Sequence, residues 1–163
     1  MTRGDLGPPS LNADEKTTLV TFLDYLRESI IAKADGLPDE VARTAGVPSG
    51  TSLLRLVKHL IAVEHNWFVW AYAGEEVELW DDEAFPGPAD TAETLFAEYR
   101  AMVERCDAII AACPDLDRPG VRSLRKTEPP SMRWLLVHMI EETARHAGHA
   151  DILREQADGS VGR

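Results

Sequence analysis

Residues 134–155 read WLLVHMIEETARHAGHADILRE, an apolar run broken in a repeating register by His138, Glu142, His146 and His149. Successive residues of an α-helix turn by about 100°, so steps of four, four and three hold these side chains on one narrow stripe. Imidazoles and a carboxylate on one stripe are metal-ligand chemistry. Glu142 and His146 stand one turn apart, about 6 Å along the axis, and can hold one ion between them. His138 and His146 are about 12 Å apart, too far to share an ion directly. A helix from about residue 130 to Gly159 is therefore expected, carrying a site as well as core residues.

Three earlier segments carry the same period. The first, from about residue 12 to residue 34, sets Leu19, Phe22, Leu23, Leu26 and Ile30 at helical steps, with Asn12 as the expected N-cap and Glu15 completing a capping-box pattern. The second opens at the Gly-Thr-Ser signal within residues 49–52 and runs through LLRLVKHLIAVEHNWFVWAYA to Gly74. The third, from about Thr91 to Cys113, stops at Pro114, which cannot donate a helix hydrogen bond. Nothing between them reads as a strand ladder. Four long amphipathic helices must bury their stripes against one another, which predicts an all-α four-helix bundle. The connections 36–49, 75–90 and 114–129 are long, where about two to eight residues usually suffice. Such loops permit crossovers, so simple up-down-up-down order is not forced, and they can cap one end of the bundle and enclose a pocket.

At 163 residues the chain reads as one domain spanning 1–163, long enough to bury about two thirds of its unfolded surface, with frayed Gly-, Pro- and charge-rich termini. Its apolar stretches fall short of the ~20 residues of a membrane span, and MTRGDLGPPSLNADEK lacks the pattern of a signal peptide. The expected location is cytoplasmic. Seventeen basic against 28 acidic residues give a net charge of −11, which repels phosphate backbones and anionic lipid surfaces. Neither nucleic acid nor a membrane is an expected partner; a homodimer stays open. Cys106 and Cys113 share a helix face about 10 Å apart, beyond disulfide reach, and read as buried thiols. There is no GxSxG, P-loop or GxGxxG, and HMIEE is not the zincin HExxH.

A third ligand must come from another helix. His59, whose neighbours at plus three, four and seven are Ala62, Val63 and Asn66, looks inward; His65 points roughly 120° away from it. An ionised Glu142 on an apolar stripe costs several kcal/mol unless something offsets it, and either a divalent cation or an Arg partner would do so. Spacing alone leaves both open.

With these residues in place, SGTSLLRLVKHLIAVEHNWF and SMRWLLVHMIEETARHAGHADILRE resemble the DinB/YfiT-like superfamily of four-helix metalloproteins, in particular a mostly actinobacterial branch of it. That superfamily usually takes one His from helix two and a HisXXXHis pair from helix four, followed by Arg-Gly-Gln. The resemblance maps these ligands onto His59, position 142 and His146. Here position 142 is Glu and AGH replaces Arg-Gly-Gln, a His, Glu, His set similar to that of the N-terminal domain of mycothiol-dependent maleylpyruvate isomerase. The resemblance implies a divalent metal, zinc ahead of nickel or iron, and by analogy with superfamily members a small thiol such as mycothiol transferred to an electrophilic substrate. A hydrolase using a metal-bound water and a non-catalytic metal-binding or stress-response protein are the rivals.

His138 and His149 flank the proposed ligands and are the candidates for a catalytic role, or for orienting a ligand or filling the core. Trp67 and Trp70 read as core or pocket wall. Arg118, Arg122, Arg125 and Lys126 form a basic loop in an acidic chain; Arg122 and Arg125 are the candidate contacts for an anionic thiol cofactor, against the alternative of a solvated loop. The acidic loop of Glu75, Glu76, Glu78, Asp81, Asp82 and Glu83 reads as solvated.

Overall fold

A computed structural model describes residues 7–9 and 12–161; the extreme termini, where fraying is expected, lie outside the described residues. Helix α1 spans Glu15–Ala34, the short α2 Asp39–Arg43, α3 Leu53–Glu64 with a π-helical continuation over His65–Tyr72, α4 Ala92–Ala112 and α5 Met132–Asp158. The architecture is the expected all-α bundle, with α2 added inside the first connection.

The ends follow local chemistry. Ser52, Thr91 and Ser131 accept from the backbone N–H of Arg55, Thr94 and Trp134, each satisfying a donor that the first helical turn leaves without a partner. The N-cap of α1 is Asp14 rather than Asn12: its carboxylate accepts from Thr17 N at 3.1 Å, and a full negative charge suits the positive end of the helix better than an amide. Glu15 is consequently the first helical residue and not the far member of a capping box. Gly159, at φ 75°, closes α5 by donating to the Glu155 carbonyl at 2.8 Å.

Long-range contacts fix the direction of each helix. Arg133 at the start of α5 pairs with Glu15 at the start of α1, and Asp151 near its end pairs with Lys33 near the end of α1, so these two run parallel. Lys58 pairs with Asp90, just ahead of α4, and Tyr72 donates to Cys113 Sγ at 3.1 Å, just past it, so α3 and α4 are parallel too. His59 meets Glu142 and His146, whereas Trp67 meets Trp134 and His138, which makes α3 antiparallel to α5. The order is up-down-down-up.

That order sends residues 75–90 back along the outside of α3. The returning chain meets α3 and its π-helical continuation in sequence: Trp80 against Asn66, Asp82 against His59, Glu83 and Phe85 against Arg55, and Asp90 against Lys58. The acidic side chains face solvent as expected, apart from a half-buried Glu75, but the backbone that carries them is packed. Just past the π segment and its Ala73 cap stands Gly74, whose φ of 70° and approach to Val121, 2.7 Å from where a Cβ would stand, both call for glycine. Leu23, Leu54, Leu60, Phe68, Leu135, Leu136 and Met139 fill the core. Cys106 and Cys113 are free and buried, and burial pushes the Cys106 thiol well up, away from reactivity.

Arg27 and Glu64, both completely or almost completely enclosed, form an ion pair that sequence reasoning missed. Arg27 Nε and Nη2 donate to the two Glu64 oxygens at 2.8 and 2.6 Å, and Nη1 reaches Asp24 and Asp107 at the edge of the core. The pair ties α1 to the residue at which α3 passes into its π-helical turn.

Candidate metal centre

His59 on α3 and Glu142 and His146 on α5 converge. One ligand atom from each lies within 4.8 Å of the other two. Glu142 Oε1 faces His59 Nε2 at 3.1 Å and His146 Nε2 at 3.0 Å, and the two imidazole rings meet edge to face with centroids 4.7 Å apart. Side-chain exposures of 17%, 14% and 16% for His59, Glu142 and His146 leave the cluster reachable from solvent, unlike a sealed structural site.

The hydrogen-bond pattern tests whether these residues suit a cation. His59 Nδ1 lies 2.7 Å from the Asp82 carbonyl, an acceptor only, so Nδ1 carries a proton. In the neutral ring Nε2 then presents a lone pair to a carboxylate oxygen, and two acceptors at 3.1 Å need a positive charge between them. A proton or a metal ion meets that need; no guanidinium does so, because the one Arg near Glu142, Arg145, approaches the other oxygen, Oε2, at 3.4 Å and is itself largely exposed. The Arg-partner alternative is met on one side only: Arg145 pairs with Glu142 Oε2 from the exposed face, while Oε1 stays with the two imidazoles, and a fully enclosed Arg partner is found at Glu64. A divalent ion held by two neutral imidazoles and one carboxylate keeps one net positive charge and open positions, a set suited to an anionic sulfur or oxygen ligand.

Burial pushes the His146 imidazole below its ordinary 6.5, and the charge of His59 adds to this against the opposing pull of Glu142. Burial pushes the Glu142 carboxyl up, but the hydrogen bonds it makes with His59 and His146 when protons occupy the place of the ion more than reverse this, leaving it below 4.5. Both are depressions, so the folded chain binds fewer protons than the unfolded chain in each window. Stability from these groups is present above the unfolded values and is lost as pH falls through the folded ones. Metal affinity is expected to weaken in the same direction, because protons compete for the same atoms. Chelator-treated protein should melt at progressively lower temperature between about pH 7 and pH 4; a melting temperature that rises on acidification contradicts this assignment.

The other expected site residues are placed as follows. His149 is exposed, with Nδ1 3.3 Å from His146 Nδ1. His138 stacks on Trp134, with centroids 4.9 Å apart, and meets Trp67 edge-on at 5.0 Å; burial lowers its pKa. The two tryptophans line a cavity of about 370 Å³ with Ser123, Thr127 and Arg125, whose guanidinium lies 5.2 Å over Trp134. Arg122 is engaged elsewhere: it donates to the Trp70 and Glu75 carbonyls at 3.1 and 2.9 Å and pairs with Glu76. His65 is not at the centre, in line with its register, yet it is buried, stacked on Trp80 at 4.1 Å with the two rings nearly parallel. Among the described residues no helix is long and apolar enough to cross a membrane.

The profile of the mycothiol-S-transferase family matches residues 18–159, from the first turn of α1 to the cap of α5. The chain belongs to this DinB/YfiT-like family. No curated protein matches it. The matched span includes His59, Glu142 and His146 and the returning chain 75–90.

Proposed function

We propose that the chain is a metal-dependent mycothiol S-transferase whose metal ligands are His59 Nε2, Glu142 Oε1 and His146 Nε2. The observation that carries this reading is the convergence of His59 Nε2 and His146 Nε2 on Glu142 Oε1, with His59 Nδ1 turned to the Asp82 carbonyl, an arrangement that calls for a cation, in a chain of this family. A divalent ion there, zinc by its ligand set with nickel or iron as alternatives, supplies when bound the charge that keeps a thiol deprotonated near neutral pH.

The chain's own groups do the rest. Asp82 O fixes the His59 tautomer and ring plane, and His149 Nδ1 would accept from His146 Nδ1 when His146 Nε2 binds the ion. The cavity beside Trp67 and Trp134 has room for part of a sugar-containing thiol or of its electrophilic partner, with Arg125 as the cationic contact. His138, packed against the Trp67 and Trp134 rings that line this cavity, is the candidate to accept or return a substrate proton. In the transfer the thiol gives up its proton, its sulfur forms a bond to the electrophilic carbon, and the displaced electron pair leaves with the departing group or is protonated.

Addition of mycothiol to protein loaded with Co²⁺ is expected to produce a sulfur-to-metal charge-transfer band, followed by conjugation of an electrophile. A hydrolase using metal-bound water shows turnover with no such band, and metal binding without either leaves a non-catalytic protein.

A further inference from the structure

We infer that Asn66 is a positioning residue for the metal centre: it pins the returning chain so that the Asp82 carbonyl holds the His59 ring with Nε2 turned toward Glu142. The inference rests on the metal-centre reading only for its metal-affinity consequence; the ring orientation is a property of the chain itself.

The connection runs through a few short contacts. Asn66 follows His59 by seven residues, almost two helical turns, so both face the returning chain. The Asn66 carboxamide makes a two-bond ring with the Trp80 backbone: Nδ2 donates to Trp80 O at 2.9 Å, and Trp80 N donates to Oδ1 at 2.9 Å. This is the pairing one strand offers another, made here by a side chain. Asn66 is 5% exposed, so losing it leaves both Trp80 groups without their partners in a place water reaches poorly. His65 reinforces the clamp from both sides, with Nδ1 3.2 Å from Asn66 Oδ1 and its ring stacked on the Trp80 indole.

Asp82 is two residues beyond Trp80, and its carbonyl is the partner of His59 Nδ1. The far side of the same segment is held by other residues: Arg55 on Glu83 and Phe85, and Arg43 on the Pro86, Gly87 and Asp90 carbonyls. Asn66 is thus the anchor nearest Asp82 on that side, the start of the segment being held by Arg122 and Arg105 at Glu75 and Glu76. Without it the segment between residues 77 and 82 loses its packed register, His59 loses its fixed acceptor, and the ring is free to turn or to exchange its tautomer.

Nitrogen-15 NMR of the imidazoles in metal-free protein reads this directly. Wild-type protein is expected to show a proton held on His59 Nδ1, whether Nε2 is free or carries the proton that stands in for the ion, and Asn66→Ala a mixture in which the Nδ1 proton is partly lost; Zn²⁺ affinity, measured by competition with a chromophoric chelator, should drop about 10–100-fold, the usual cost of losing an outer-shell partner. Ile110→Ala, a core truncation on α4, is the control: it lowers stability but leaves the tautomer and the affinity unchanged. If Asn66→Ala does not fold, Trp80→Pro removes the N–H that Asn66 accepts without altering the helix, and Trp80→Ala retains that N–H; the first is expected to mix the tautomers and the second to keep Nδ1–H dominant. An undisturbed His59 Nδ1–H tautomer in Asn66→Ala, or in Trp80→Pro where that is the variant that folds, overturns the inference. A wild-type protein that binds no divalent metal refutes the metal centre instead, and the NMR result still decides the role of Asn66.

Discussion

Glu142→Ala and His146→Ala are each expected to lower divalent-metal affinity and mycothiol conjugation by about 100-fold or more, exceeding the roughly 10–100-fold cost of losing an outer-shell partner. Glu142 is the only carboxylate of the trio, and its Oε1 faces both imidazoles. Its removal leaves two neutral nitrogens that cannot offset the desolvation of a dication. Removal of His146 leaves Glu142 with one imidazole and a distant, exposed Arg145. The fold should survive both changes, because neither side chain belongs to the packed core. Metal titration and a conjugation assay, with circular dichroism to establish folding, check the expectation. Folded variants that retain metal and activity contradict it.

Glu64→Ala is expected to destabilise the protein by about 3–5 kcal/mol, the cost of leaving one member of a buried ion pair uncompensated. Arg27 is 2% exposed and Glu64 0% exposed, and the guanidinium keeps only Asp24 and Asp107 once Glu64 is gone. Burial alone would push the Arg27 pKa down; the Glu64 carboxylate more than reverses this, and the net shift is upward. Tyr99, whose hydroxyl is 3.4 Å from Glu64 Oε1, loses an acceptor as well. Replacing both partners by apolar residues, Arg27→Met with Glu64→Leu, should cost far less than the single change, since no charge then remains to be desolvated. Urea unfolding of chelator-treated protein measures both; a double variant as unstable as the sum of the singles argues against this account of the pair.

The helix-four stripe was legible because its period is strict: Glu142 and His146 are four residues apart on a face that also buries Leu135 and Met139. His59 was legible for a similar reason, its neighbours at plus three and four being buried. Arg27 carried the same kind of signal, four residues after Leu23 and three before Ile30, but its partner lies on another helix and no local pattern names it. The choice posed by Glu142, cation or Arg, thus recurs in this chain: Glu64 has an enclosed Arg partner, and Glu142 has an exposed one on Oε2 with its Oε1 turned to two imidazoles.

Other features left no side-chain trace. Loop lengths permitted a crossover without selecting one; the parallel pairing of α1 with α5 rests on ion pairs more than a hundred residues apart in sequence. The π-helical turn shares its apolar composition with an ordinary α-helix, so His65–Tyr72 read as a plain continuation. Asp82 acts through a backbone carbonyl, which any residue at that position would supply, and so only the path of the chain reveals it. The thiol, in contrast to the ligands, came from resemblance, and its support is the family match over residues 18–159.

An anomalous-scattering map of crystals grown with Zn²⁺, collected above and below the zinc edge, tests the metal centre most directly. The account predicts one strong peak between His59, Glu142 and His146, about 2.0–2.2 Å from His59 Nε2, Glu142 Oε1 and His146 Nε2, with at least one position open to a thiol. A map with no peak there, while His59 and His146 remain hydrogen-bonded to the Glu142 carboxylate, would contradict it.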